Sequence, residues 1–397
     1  MTLAHLPTPP MGWSSWNTFG PTVDEAVIRQ TADALVSTGL RDLGYRYVNI
    51  DDHWQGGRDG SGRIVAHPQR FPGGIEALAD FVHERGLKLG LYSDAAELTC
   101  GGEVASLGHE ERDAETFASW RIDYLKYDYC HAPVDRGTAV LRYTAMGRAL
   151  QATGRDIVYS VCEWGGREPW LWAAQAGAQL WRTTGDVCDS WNGGDRVDQH
   201  GIDEIGFDLQ RGLERFAGPG SWNDPDLLVV GMHGRGHVAG DMGFGGCTDV
   251  EYRTHFSLWS LLAAPLIIGT DVRALDEATA AILGNTELIA LNQDGLGRQG
   301  WRTGTRDGVE IWCKPLLFGD VAVALFNRTG QDAVAVATLG DLGLHGEYAV
   351  RDLWTHGDLP TLAGARGALT TRLPSHGCAV YRLVPRGEAR TSIHPPR

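Results

Sequence analysis

The segment Asp123-Tyr124-Leu125-Lys126-Tyr127-Asp128-Tyr129-Cys130 is an apolar, aromatic run that delivers a lysine and then a carboxylate at its C-terminal end. Further along, Leu180-Trp181-Arg182-Thr183-Thr184-Gly185-Asp186 repeats the design, a basic residue followed by an acid just past the run. Parallel barrels keep their chemistry at the C-terminal ends of their strands, so both acids are expected at one rim. Two carboxylates so placed are the equipment of glycoside hydrolysis. Lys126 stands two residues before Asp128 and points to the same strand face, where its charge can hold that carboxylate ionised as a nucleophile. Asp186 lies in a glycine-containing loop with weaker positive support, which suits a proton donor.

Other expected strand ends carry similar cargo: Trp16, Asp51 and Asp52, Tyr92 with Asp94, Glu163 with Trp164, and Asp224 with Asp226. Any one acid there could be a helix cap, but a whole rim of acids and aromatics points to a ligand. Adjacent carboxylates such as Asp51 and Asp52 suit neighbouring sugar hydroxyls, and Trp16 suits a stacking floor.

Short β-rich runs at 11–16, 45–51, 87–93, 124–128, 157–162, 179–183, 220–224 and 265–269 position these residues. Helical stretches alternate with them at 23–36, 75–85, 139–151, 202–216 and 248–263, with Thr22 as the expected cap of the first. This is the signature of an α/β chain with a (β/α)8 barrel, assigned to residues 1–298. After Asn292-Gln293-Asp294-Gly295-Leu296-Gly297 the pattern becomes alternating and helix-free, as in Val309-Glu310-Ile311-Trp312 and Val321-Ala322-Val323-Ala324-Leu325-Phe326. That predicts a C-terminal antiparallel β-sandwich over 299–385, and the Arg-, Pro- and Gly-rich residues 386–397 read as a disordered tail.

A formal charge of −15 and a pI near 5.3 exclude the basic surface that nucleic acid or an anionic membrane would need. A neutral ligand fits better, and 14 tryptophans exceed what a core of this size calls for, so some are expected to face it. The N-terminal residues lack a secretory pattern, which predicts a cytoplasmic protein, and no long apolar stretch predicts a membrane span. Seven scattered cysteines without a CxxC pair argue against a zinc site, and His109-Glu110-Glu111-Arg112-Asp113 lacks the second histidine of a metalloprotease helix. No metal and no cofactor are expected. Gly231 to Gly246, with His233 and His237, reads as a flexible rim loop.

The chain closely resembles glycoside hydrolase family 27, the α-galactosidases and α-N-acetylgalactosaminidases, over nearly its full length. The matching segments are Pro10-Met11-Gly12-Trp13, Ile50-Asp51-Asp52, Gly90-Leu91-Tyr92-Ser93-Asp94, Leu125-Lys126-Tyr127-Asp128, Cys162-Glu163-Trp164, Trp181-Arg182 to Asp186, and Trp222-Asn223-Asp224-Pro225-Asp226. The resemblance implies a retaining enzyme with Asp128 as nucleophile and Asp186 as acid/base. It implies a galactose pocket of Trp16, Asp51, Asp52, Tyr92, Lys126, Cys162, Glu163, Trp164, Arg182 and Asp226, with Glu163 and Arg182 at the sugar's C2. It also implies a disulfide between Cys100 and Cys130, and α-galactoside oligosaccharides or glycoconjugates as partners; a homo-oligomer is compatible with it. His53 stands where many secreted relatives have cysteine.

Within the family, β-L-arabinopyranosidase and α-N-acetylgalactosaminidase are the rival activities. A Schiff-base lyase using Lys126 and a non-catalytic sugar-binding protein are the readings from other classes.

Overall fold

A computed structural model describes residues 6–194 and 199–391. Eight parallel strands form the first layer: β1 (Met11–Ser14), β2 (Tyr47–Asn49), β3 (Lys88–Asp94), β4 (Tyr124–Asp128), β5 (Val158–Val161), β6 (Leu180–Arg182), β7 (Trp222–Asp224) and β8 (Leu266–Ile268). Each falls on its expected segment, β4 coinciding with it and the others trimmed at one or both ends, while β3 runs one residue further to Asp94. They pair in the order β7-β6-β5-β4-β3-β2-β1-β8. The ring is drawn together after β7, where the Leu228 amide donates to Ile267 O at 2.8 Å and Gly269 N donates to Leu228 O at 2.8 Å. Almost every strand residue is buried, as expected of strands covered on both faces.

Helices α1 (Glu25–Ser37), α2 (Gly74–His83), α3 (Glu110–Ser119), α4 (Arg136–Ala152), α5 (Asp249–Leu262), α6 (Glu277–Leu283) and α7 (Thr286–Asn292) pack around the strands. Asp24, not Thr22, caps α1, its carboxylate accepting from Val27 N at 2.8 Å, while the Thr22 hydroxyl donates back to Phe19 O. Thr248 and Glu251 form a reciprocal capping box on α5. The helix expected over 202–216 is instead a π-turn at Glu204–Asp208 and a 3-10 turn at Glu214–Phe216. Among the described residues no helix is long and apolar enough to cross a membrane.

The C-terminal unit is a six-stranded antiparallel sheet ordered β9-β10-β11-β16-β13-β14, over which a two-stranded sheet of β12 and β15 is laid. Its strands are β9 (Trp301–Arg306), β10 (Val309–Pro315), β11 (Val321–Asn327), β12 (Ala333–Thr338), β13 (Leu344–Asp352), β14 (Gly357–Ala363), β15 (Ala368–Leu373) and β16 (Cys378–Thr391). Alternation serves two cores here. Ile311, Val323 and Leu325 face Ala335 and Leu369 of the small sheet, whereas Trp312, Ala324 and Phe326 join the barrel's core. Strand β16 continues through Arg386 to Thr391, where a disordered tail was expected, because it pairs with β13 at Glu347↔Arg386 and Leu344↔Thr391. The rest of that tail, 392–397, lies outside the described residues.

Candidate active site

Six strand ends and the loops behind them enclose a cavity of about 530 Å³, lined by Trp16, Asp51, Asp52, Tyr92, Cys100, Lys126, Asp128, Cys130, Trp164, Gly185, Asp186 and His200. Asp51 and Asp52 follow β2. The Asp51 Oδ1 accepts from Asp52 N at 2.9 Å, and Asp52 in turn accepts from His53 N at 2.8 Å and Gly101 N at 2.7 Å. These amides fix two carboxylates whose remaining capacity opens on the cavity. Burial nevertheless raises the Asp52 carboxyl above its ordinary range.

Lys126 and Asp128 leave β4 on the cavity face, as expected. Lys126 Nζ, however, donates to Asp51 Oδ2 at 2.8 Å rather than to Asp128, and stands 5.2 Å from the centre of the Tyr92 ring. Its field still pulls on Asp128, but burial wins and pushes that carboxyl up to about 7. Asp128 accepts one hydrogen bond, from Tyr129 N at 3.0 Å to Oδ1; Oδ2 has no such partner among the described residues. An almost buried carboxylate with one free oxygen beside an ammonium has the placement that nucleophilic attack requires.

Arg182, at the end of β6, is the second cation. Its guanidinium donates to Asp186 Oδ1 at 3.0 Å and to the carbonyls of Thr184 and Gly185, and lies 3.1 Å from Asp226 and 3.8 Å from the Cys162 sulfur. Asp186 was expected to have weaker positive support. It has Arg182, but shares that charge with Asp226. The Asp186 side chain is 46% exposed, against 4% for Asp51, so solvent reaches it. Burial pushes Asp226 up to about 6, Arg182 pulling the other way, and Asp226 Oδ2 accepts from Val187 N at 2.8 Å, pinning the residue that follows Asp186. Asp226 holds φ +89 and Trp164 φ +58, left-handed backbone of the kind stored at functional sites.

Glu163 departs from expectation. Its side chain is fully buried outside the cavity lining, with Oε2 accepting from Arg167 N at 2.9 Å and Arg167 Nη1 at 3.0 Å. The next residue's left-handed turn delivers Trp164 to the cavity in its place. Cys162, Arg182 and Asp226 also stand off the lining, but they are bonded or charge-coupled to it. Of the tryptophans, Trp16 and Trp164 face the cavity, while Trp13, Trp54, Trp181, Trp222, Trp259 and Trp312 are core.

Cys100 and Cys130 are joined in a disulfide on the cavity wall, and Tyr92 OH donates to the Cys100 sulfur at 3.4 Å. Asp94, Asp128 and these two cysteines bring ligand-type atoms within 4.8 Å of one another. With both sulfurs spent on each other, two carboxylates remain there. Asp94 is fully buried, accepts from Cys130 N at 2.9 Å through Oδ2, and among the described residues has no partner for Oδ1. Burial and then the neighbouring Asp128 push it up to about 9. Sequence reasoning placed Asp94 on the rim without a role; its register opposite Asp128 on β4 was the missed signal. His200 had no such signal, since it arrives by pairing of Gln199–His200 with Asp186–Val187.

Residues 8–294 match the family model described as Alpha galactosidase A, and residues 306–383 match the Alpha galactosidase C-terminal beta sandwich domain. An α-galactosidase of Cyamopsis tetragonoloba is 47% identical over 384 residues, covering 96% of this chain and 87% of that protein. The α-galactosidase I of Mortierella vinacea superposes with a TM-score of 0.87 at 36% identity, covering 96% of this chain and 98% of that one. The Saccharomyces cerevisiae α-galactosidase with raffinose superposes with a TM-score of 0.88 at 31% identity, covering 97% and 100%. Matched across both its barrel and its sandwich, this chain belongs to the α-galactosidase (melibiase) family of glycoside hydrolases.

Proposed function

We propose that the cavity removes terminal α-D-galactosyl residues from oligosaccharides by double displacement, with Asp128 as nucleophile and Asp186 as acid/base. Asp128 attacks the anomeric carbon while Asp186 protonates the departing glycosidic oxygen. Asp186 then takes a proton from water as that water attacks the glycosyl-Asp128 carbon from the opposite face, which restores the original configuration. The observation that carries this reading is the division of labour between the two acids: Asp128 is buried beside Lys126, and Asp186 is solvent-exposed across one cavity of small-ligand size. Asp51, Asp52 and Lys126 supply acceptors and a donor for sugar hydroxyls, and Trp16 and Trp164 supply apolar faces.

Asp51 and Asp52 both carry oxygens toward the cavity, which favours galactose with its extra hydroxymethyl group over the pentose β-L-arabinopyranose. The likeness to an α-galactosidase with raffinose supports a galactosyl oligosaccharide. Comparing kcat/KM on aryl α-galactoside, aryl α-N-acetylgalactosaminide and aryl β-L-arabinopyranoside tests the assignment. The galactoside is expected to lead; a faster rate on either rival overturns it.

A further inference from the structure

The glycine-rich segment 231–246 is not the loose rim loop its composition suggests, since Val238 and Ala239 are buried and its root is fixed at Asp189. The buried Asp189 carboxylate accepts from Gly234 N at 2.8 Å, Cys247 N at 3.1 Å and Tyr252 OH at 2.8 Å. From this root the segment reaches two walls of the cavity. On one side His237 N donates to Thr18 O at 3.2 Å and Val238 N to Asn17 O at 3.0 Å, tying it to the turn that carries Trp16. The His237 ring meets Trp16 edge-on, centroids 5.0 Å apart at 81°, while His53 lies parallel to the indole at 6.2 Å and 10°. Gly20, at φ +44, makes room for this, because a Cβ there would sit 2.5 Å from the His237 ring. On the other side Gln199 Nε2 reaches the Met242 sulfur at 2.9 Å, and Gln199–His200 pairs with Asp186–Val187.

We propose that segment 231–246 is a brace for the sugar-stacking wall, with His237 a positioning residue that fixes the plane of Trp16. An indole stacks on a sugar only in a narrow range of orientations, and edge-to-face contact with a second ring removes the freedom to leave it. His237 lies outside the cavity lining, so its effect passes through Trp16. The inference rests on the cavity being the galactose site.

The test is steady-state kinetics of the full chain on an aryl α-galactoside. His237→Ala should raise KM roughly three- to tenfold, the range expected from an aromatic pair, with kcat within about twofold. His237→Phe keeps a ring edge without the 3.7 Å approach to Asp241, and should restore KM. An unchanged KM in the alanine variant, a loss confined to kcat, or phenylalanine no better than alanine would overturn the brace. A fall of more than about 5 °C in melting temperature would also count against it, since His237 would then serve the fold as a whole. A wild-type chain inactive on the galactoside would instead defeat the functional reading beneath it.

Discussion

Lys126 at the cavity and Lys314 at the junction of barrel and sandwich are both drawn out of water, and their surroundings treat them in opposite ways. Burial opposes the charge on each. At Lys126 the carboxylates, Asp51 foremost, more than offset it and hold the ammonium well above the ordinary lysine range. Lys314 is fully buried and donates to two backbone carbonyls, Ser260 O at 3.1 Å and Leu291 O at 2.8 Å, near the ends of α5 and α7. Burial drags it down to about 7, with Asp294 pulling weakly the other way. A charge persists in a low-dielectric site where counter-charges are crowded around it, while burial first and neighbouring carboxylates second leave Asp94 and Asp128 raised. The junction is built for stability and the cavity for retaining charge.

Substitutions should separate the two regions. The largest effect belongs to Lys126→Met, which keeps the stem but leaves Asp51 an unpaired buried carboxylate. A hydrogen bond to a charged group is worth about 1.5–3 kcal/mol, so losing the Lys126 ammonium from the cavity should lower kcat/KM by about one to two orders of magnitude without loss of fold, and borohydride should trap no adduct in the wild type. An adduct on Lys126 would revive a Schiff-base reading. Lys314→Met should leave kcat/KM within about twofold and lower stability by about 1–3 kcal/mol in chemical denaturation. The sign follows from linkage: a lysine whose folded pKa is depressed makes folding more favourable as pH rises from about 7 toward 10, so the variant's deficit should widen over that range.

Asp94 should show the opposite slope. Its folded pKa is raised, so its contribution is intact below the unfolded value and is lost as pH rises through about 9. Asp94→Asn should therefore gain roughly 2–5 °C in melting temperature relative to wild type between pH 5 and 9; a constant difference would show Asp94 ionised throughout. The smallest effect is expected at Glu163. Since it pairs with Arg167 away from the cavity lining, Glu163→Gln should leave the preference for galactoside over N-acetylgalactosaminide within about twofold, and a large shift in that ratio would return Glu163 to C2 of the sugar.

The barrel was legible because strands covered on both faces must be apolar throughout, and nearly every such run here ended in an acid or an aromatic. The helices were less so. Glu110–Ser119 is mostly polar and packs through Ala114, Thr116 and Phe117, too thin a stripe to read. The 202–216 stretch has helical spacing, but Gly206 is pressed against α5, where a Cβ would lie 2.3 Å from Leu258, and the chain departs from regular helix there. At the site, strand ends announced Asp128, Lys126 and Asp51 individually. Which carboxylate Lys126 would choose depends on the lateral offset between β2 and β4, which no spacing along one strand encodes. Likewise the residue type of Glu163 could not reveal that the left-handed turn at Trp164 sends the tryptophan inward.

In the proposed double displacement Asp128 and Asp186 work from opposite faces of the sugar. Proton NMR of the first product released from an aryl α-galactoside decides whether this is so. α-Galactose is expected first, with β-galactose appearing only at the rate of mutarotation; β-galactose as the first product would rule the double displacement out.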